Sequence, residues 1–108
     1  MDLSILSESQ ANHWLVTLKG DVDTKTAPSL LEALTQIALS ELTELRIDMR
    51  EVGFLSSAGL RAFVFAKQKM PFESRLILIG TNNDIADVIK QTGLTQAITL
   101  LDDQESLE

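Results

Sequence analysis

From Glu44 to Met49 the chain alternates without a break: Leu45, Ile47 and Met49 point one way, Glu44, Arg46 and Asp48 the other. A strict period of two marks a β-strand with one buried and one wetted face. A parallel strand covered on both faces would read as continuously apolar instead. This one strand therefore commits the fold to a sheet with one face in solvent. Upstream, Leu3, Ile5 and Leu6 read as a short first strand, and a polar turn around Ser9 to Asn12 leads into a second. There Trp14, Val16 and Leu18 alternate with His13, Leu15, Thr17 and Lys19, so Trp14 is expected to pack on the sheet. Gly20 reads as the end of that strand, with Asp21, Asp23 and Thr24 in a polar loop.

Helical periods fill the intervals. One helix starts near Ala27, with Pro28 tolerated in its first turn, where the missing amide has no intrahelical partner. A second runs from about Ser57 to Met70 and stops at Pro71. Arg75 to Ile79 is a near-continuous apolar strand, Asn83 to Gln91 a helix closed by Gly93, and Ala97 to Leu101 a last strand. Strand–helix–strand order, repeated after an opening hairpin, predicts an α/β domain. Its sheet is mixed but mostly parallel, with about five strands, three or more helices and right-handed crossovers. Such folds place their sites in loops at the carboxyl ends of the parallel strands, which singles out Gly20 to Thr26 and Arg50 to Ser57.

Charge and composition narrow the function. Nine Lys plus Arg against sixteen Asp plus Glu leave a net charge of −7, which offers no electrostatic footprint for nucleic acid or an anionic membrane. No cysteine is present, which removes disulfides, thiolate metal sites and cysteine nucleophiles together. The apolar runs fall far short of the ~20 residues that cross a bilayer, and the acidic start MDLSILSESQ is unlike a signal peptide. The expectation is a soluble, cytoplasmic domain over residues 1–101. The acidic tail 102–108 is expected to stay solvated and disordered.

The chemistry concentrates in Phe54-Leu55-Ser56-Ser57-Ala58-Gly59-Leu60. With Ser56 as N-cap of the second helix, Leu55 and Leu60 occupy the two positions of a hydrophobic staple; with Ser57 as cap, the staple vanishes. Ser57 is then left in the first turn with its hydroxyl uncommitted. A hydroxyl at the positive end of a helix tolerates a phosphate without unfolding, and the added charge of about −1.5 to −2 changes what the surface can bind. The plainer reading, that both serines only cap, stands beside it.

These residues, followed by Arg61, resemble the signature of STAS domains of the bacterial anti-sigma factor antagonist type. So do Leu18-Lys19-Gly20-Asp21-Val22-Asp23 with Thr26-Ala27, the strand end Ile47-Asp48-Met49, and Gly93-Leu94. The resemblance implies a STAS fold over roughly residues 3–101. It also implies a protein that binds an anti-sigma factor, itself a serine kinase, and so releases a sigma factor. Phosphorylation of the serine two places before the motif glycine, here Ser57, breaks the complex, and a serine phosphatase restores it. Many members carry Asp before the acceptor, where this chain has Ser56, which also makes Ser56 an alternative acceptor. The partner surface implied comprises Asp21, Asp23, Thr24, Ser56, Ala58, Gly59, Arg61 and Phe65. The rival function is a scaffold of the same fold that assembles constitutively, without phosphorylation. The residues leave the oligomeric state open.

Each of these side chains also has a plainer reading. Asp21 and Asp23 either face a partner or bond their own backbone in a turn, and with no further ligands clustered nearby they make no convincing metal site. On the second helix, Leu60, Phe63, Val64, Ala66 and Met70 share one arc with Ala62 at its edge, which turns Arg61, Phe65, Gln68 and Lys69 outward. Phe65 is then either a partner anchor or a single exposed aromatic, and Arg61 either a partner contact or a solvated charge. His13 is the only histidine, and Leu55 stands where a hydrolase elbow needs glycine, so no enzyme and no cofactor is expected.

Overall fold

The computed structural model describes residues 3–9 and 13–101; the tail 102–108 lies outside them. The described strands are β1 (Ser4–Ser9), β2 (Trp14–Val22), β3 (Glu44–Leu55), β4 (Arg75–Ile79) and β5 (Ile98–Leu101). Three α-helices connect the parallel ones: α1 (Ala27–Thr35), α2 (Ser57–Lys69) and α3 (Asn83–Gln91). They form one sheet in the order β1-β2-β3-β4-β5, antiparallel between β1 and β2 and parallel thereafter. Parallel strands that advance steadily in one direction through right-handed crossovers keep every connecting helix on the same face. The expected mixed α/β sheet is thus what forms, and its other face is bare.

The register shows why. Trp14↔Leu45, Val16↔Ile47, Leu45↔Leu76, Ile47↔Leu78 and Leu76↔Ile98 stand side by side, so one row of apolar side chains crosses the sheet beneath the helices. Val16, Leu45, Ile47, Leu76, Leu78 and Ile98 are all fully buried, and Phe63, Leu30 and Leu34 close over them from α2 and α1. Each such side chain contributes about 1.5–3 kcal/mol on burial. Trp14 is half-buried and packs against this core, as its position in the alternation requires.

On the bare face the intervening positions carry charge in rows. Arg46 pairs with Glu44, Arg75 reaches Glu44 at 3.6 Å, Lys19 reaches Glu51 at 3.6 Å, and Arg50 lies 2.6 Å from Asp48. The Arg50 guanidinium holds the Asp48 carboxyl below its ordinary pKa. The Lys19–Glu51 pair, exposed on both sides, is worth at most ~1 kcal/mol. Ile77 is the exception: it is buried on the bare face, beside Arg46 and Thr99.

Three boundaries differ from the sequence reading. Gly20 does not end β2; it sits at a register shift with φ 114, and the strand continues to Val22, so Asp21 is a strand residue. Glycine adopts that φ freely, and pairing continues from Gly20↔Val52 to Val22↔Leu55, with the one extra residue of the irregularity on β3. For the same reason Arg50 to Leu55 is strand rather than loop. β4 pairs only with Glu44 to Asp48 and β1 pairs with β2 only as far as Lys19, so beyond Lys19 and Glu51 β2 and β3 run on as a two-stranded ribbon past the sheet. At the other end Ala97 closes a 3-10 turn through its amide to Leu94, and β5 begins at Ile98.

Candidate functional site

The ribbon delivers the chain to α2 with a single intervening residue, Ser56. Its extended backbone (φ −78, ψ 167) and its hydroxyl, which accepts from the Gly59 amide at 3.1 Å, make it the N-cap. The Ser56 amide donates to the Val22 carbonyl at 2.7 Å, which ties the start of α2 to the end of β2. Leu55 and Leu60, the staple positions, are each 8% exposed. Gly59 is buried where α2 crosses β2: a Cβ there would stand 2.4 Å from Val22 Cγ1 and 2.7 Å from Leu55 Cδ1. Gly59 therefore permits close packing and is not available to a partner, contrary to its place in the expected partner surface.

With Ser56 capping, Gly59 packing and Leu60 buried, Ser57 is left over. It is exposed, it begins the helix, and its hydroxyl bonds to none of the described residues. Ala58, half-buried, packs against the core beside it. Arg61 follows Ser57 by one turn, exposed and without an ion pair among the described residues.

The two aspartates separate. Asp23 accepts through Oδ1 from the amides of Lys25 and Thr26, both at 2.9 Å. The Thr26 hydroxyl in turn accepts from the Asp23 amide at 2.9 Å and donates to the Asp21 carbonyl at 2.8 Å. The Thr26 amide, above all, holds the Asp23 carboxyl below its ordinary pKa. Asp23 thus folds its own turn, the plainer of its two readings. The Asp21 carboxylate bonds to none of the described residues and lies over Gly53, where a Cβ would meet its Oδ1 at 3.2 Å.

Two grooves flank α2. The first, of about 360 Å³ between α1 and α2, is floored by Ala27, Pro28, Leu31, Ala58, Ala62 and Phe65, with Thr24 and Arg61 at its rim. The second, of about 350 Å³, runs from Ser57 past Arg61 and Val64 to Leu94. Phe65 borders both and is half-buried rather than fully outward, with Lys69 Nζ 5.3 Å from its ring centre. The buried arc of α2 is turned toward α1, so Ala62 is buried and Val64 only half so. The structure thus gathers Thr24, Ala58, Arg61 and Phe65 at one groove and Ser57, Arg61 and Phe65 at the other.

Two residues escaped sequence reasoning: Leu31 floors the first groove, and Asn82 both caps α3 and donates to the Gly53 carbonyl at 3.2 Å. Only Asn82 had a legible signal, an N-cap residue before an apolar helix. Phe54, named in the motif, is 52% exposed near the end of β3.

His13 lies just before β2 and Ser57 just beyond the opposite end of the β2–β3 ribbon, a strand length of roughly 25–30 Å away. No catalytic pair forms between them. Among the described residues no three His, Cys, Asp or Glu side chains cluster as metal ligands, and no helix is long and apolar enough to cross a membrane.

A single-layer α/β sheet with helices on one face, and a capped serine pair where the third strand enters its helix, define the class of fold and site. The chain belongs to the STAS domain family, whose model matches residues 4–106. The anti-sigma-B factor antagonist of Listeria monocytogenes is 34% identical over 102 residues, covering 93% of this chain and 90% of that one. The crystal structure of an anti-sigma factor antagonist from Mycobacterium paratuberculosis is 26% identical and superposes with a TM-score of 0.83, over 93% of this chain and 86% of that one. The phosphorylated form of the Bacillus cell-fate determinant SpoIIAA shares the fold at 15% identity, with a TM-score of 0.73 over 94% and 93% of the two chains.

Proposed function

We propose that this protein is a cytoplasmic anti-sigma factor antagonist that acts by binding rather than by catalysis. Its partner is an anti-sigma factor with serine-kinase activity, and a serine phosphatase returns the modified protein to its binding form. Unmodified, it docks through the Gly20 to Thr26 segment, the exposed parts of Ser56, Ser57, Ala58 and Arg61, and the α1–α2 groove, and phosphorylation of Ser57 releases it. The observation that carries this reading is the division of labour in the motif. Ser56, Gly59 and Leu60 each hold the helix in place, while Ser57 is exposed with no structural duty. The names of the relatives supply the class of partner.

The electrostatics suit a switch that needs no refolding. A unit charge ~4 Å from a like charge costs about 1 kcal/mol in bulk water and ~4 kcal/mol at an effective dielectric of 20. Released binding of roughly fivefold to a thousandfold follows, according to how dry the interface is.

The test is capture from native lysate with wild type, Ser57→Ala and Ser57→Asp side by side, with bound proteins identified by mass spectrometry. Wild type and Ser57→Ala should retain a serine kinase of the anti-sigma class, and Ser57→Asp should lose it. Equal capture by all three forms would replace the switch with a constitutive scaffold.

A further inference from the structure

We propose that Arg61 is the internal counter-ion of phosphorylated Ser57, so that modification adds a dianion and withdraws a cation from the docking surface in one step. This rests on Ser57 being the acceptor. The geometry is that of one helix turn: residues four apart on α2 project side by side, with Cβ atoms about 5–6 Å apart. An anion placed four residues before a cation is the favoured order on a helix. Both side chains border the same groove toward Leu94, both are exposed, and neither has a partner among the described residues. The first turn of α2 carries no acidic residue to compete for the guanidinium. Lys67 and Lys69, the cations of the last turn, stand more than two turns beyond Ser57, and Lys69 lies over Phe65.

Arg61 also forms the rim of the α1–α2 groove. Before modification its guanidinium is free to meet an acidic group on whatever fills that groove. Once Ser57 carries a phosphate, the fork of donors turns to the phosphate oxygens, which a guanidinium engages through two parallel bonds. The cation then no longer serves the rim, and the docking surface loses attraction as it gains repulsion. Arg61 is in this sense a positioning residue for the switch, distinct from the acceptor itself.

The readout is the second ionisation of the phosphate, which lies near 6 for an unpaired phosphoserine. Full-length protein carrying phosphoserine installed at position 57 during translation is titrated by phosphorus NMR. Arg61→Gln should raise the phosphate pKa by about half a unit, the shift that one charge ~5 Å away produces through water. Arg61→Lys should restore part of the shift, and Lys69→Gln should change nothing. An unchanged titration in Arg61→Gln overturns the pairing, as does an equal shift in Lys69→Gln. Because the phosphate is installed without a kinase, these outcomes do not depend on whether cells modify Ser57. That separate question is answered by phosphopeptide mass spectrometry of the native protein, where absence of the Ser57 phosphopeptide would count against the acceptor and leave the NMR result standing.

Discussion

Replacing Gly59 by alanine places a methyl group 2.4 Å from Val22 Cγ1 and 2.7 Å from Leu55 Cδ1, both inside normal contact distance. Val22 is fully buried and Leu55 is 8% exposed, so neither can swing into solvent to make room. The Ser56 amide is bonded to the Val22 carbonyl at 2.7 Å, so α2 cannot lift away without breaking that link. Overpacking of this kind costs about 1–3 kcal/mol. Alanine returns up to ~1 kcal/mol of helix propensity, less in a first turn than in a helix interior. The net expectation is a loss of ~1–2 kcal/mol, read as a lower urea midpoint at unchanged slope, or a fall in Tm of roughly 4–10 °C. Val22→Ala by itself costs ~2–3 kcal/mol through two lost methyl groups and the space they leave. It also removes the Cγ1 that the new methyl would strike. The double variant should therefore be more stable than the two single losses predict, by about 1–3 kcal/mol. Additive losses, or a Gly59→Ala protein as stable as wild type, would refute the claim that this glycine exists to let α2 close on β2.

Two further expectations follow from the same geometry. Ser56→Ala removes the cap and should cost ~1 kcal/mol in urea unfolding, whereas Ser57→Ala should stay within about 0.5 kcal/mol of wild type; equal losses would mean that both hydroxyls cap. His13 has its pKa lowered from 6.5, chiefly by burial and then by nearby Arg46, with Glu44 opposing. The folded state thus binds its proton less readily than the unfolded one. Stability should be complete above 6.5 and decline as the pH falls from there toward the folded-state value, and His13→Gln should flatten that decline in urea titrations between pH 8 and 5.

How much of this was legible beforehand depended on how local the cause was. The alternation of Glu44 to Met49 was enough to require a sheet with one wetted face, because side-chain direction in a strand is set by the backbone alone. Ser56 could be separated from Ser57 because a staple spans only six residues, Leu55 to Leu60, all within one stretch of chain. Gly93 as the stop of α3 was equally local, and it has the left-handed φ of 77 that the role demands. In contrast, Gly20 looks like a strand terminator from its neighbours but lies inside β2, since only pairing with β3 reveals that β2 continues to Val22. Arg50 to Leu55 looks like a loop for the same reason.

Sequence by itself therefore determined the order of strands and helices, the face that β2 and the first half of β3 bury, the cap of α2 and the family. Tertiary structure decided that Gly59 is a packing residue and that Phe65 lines the grooves beside α2 instead of standing free. The physical reason is range. Periodicity, capping and staples act between residues a few positions apart, whereas the reason for a glycine at position 59 is a valine at position 22, brought beneath it only when β2 and β3 pair.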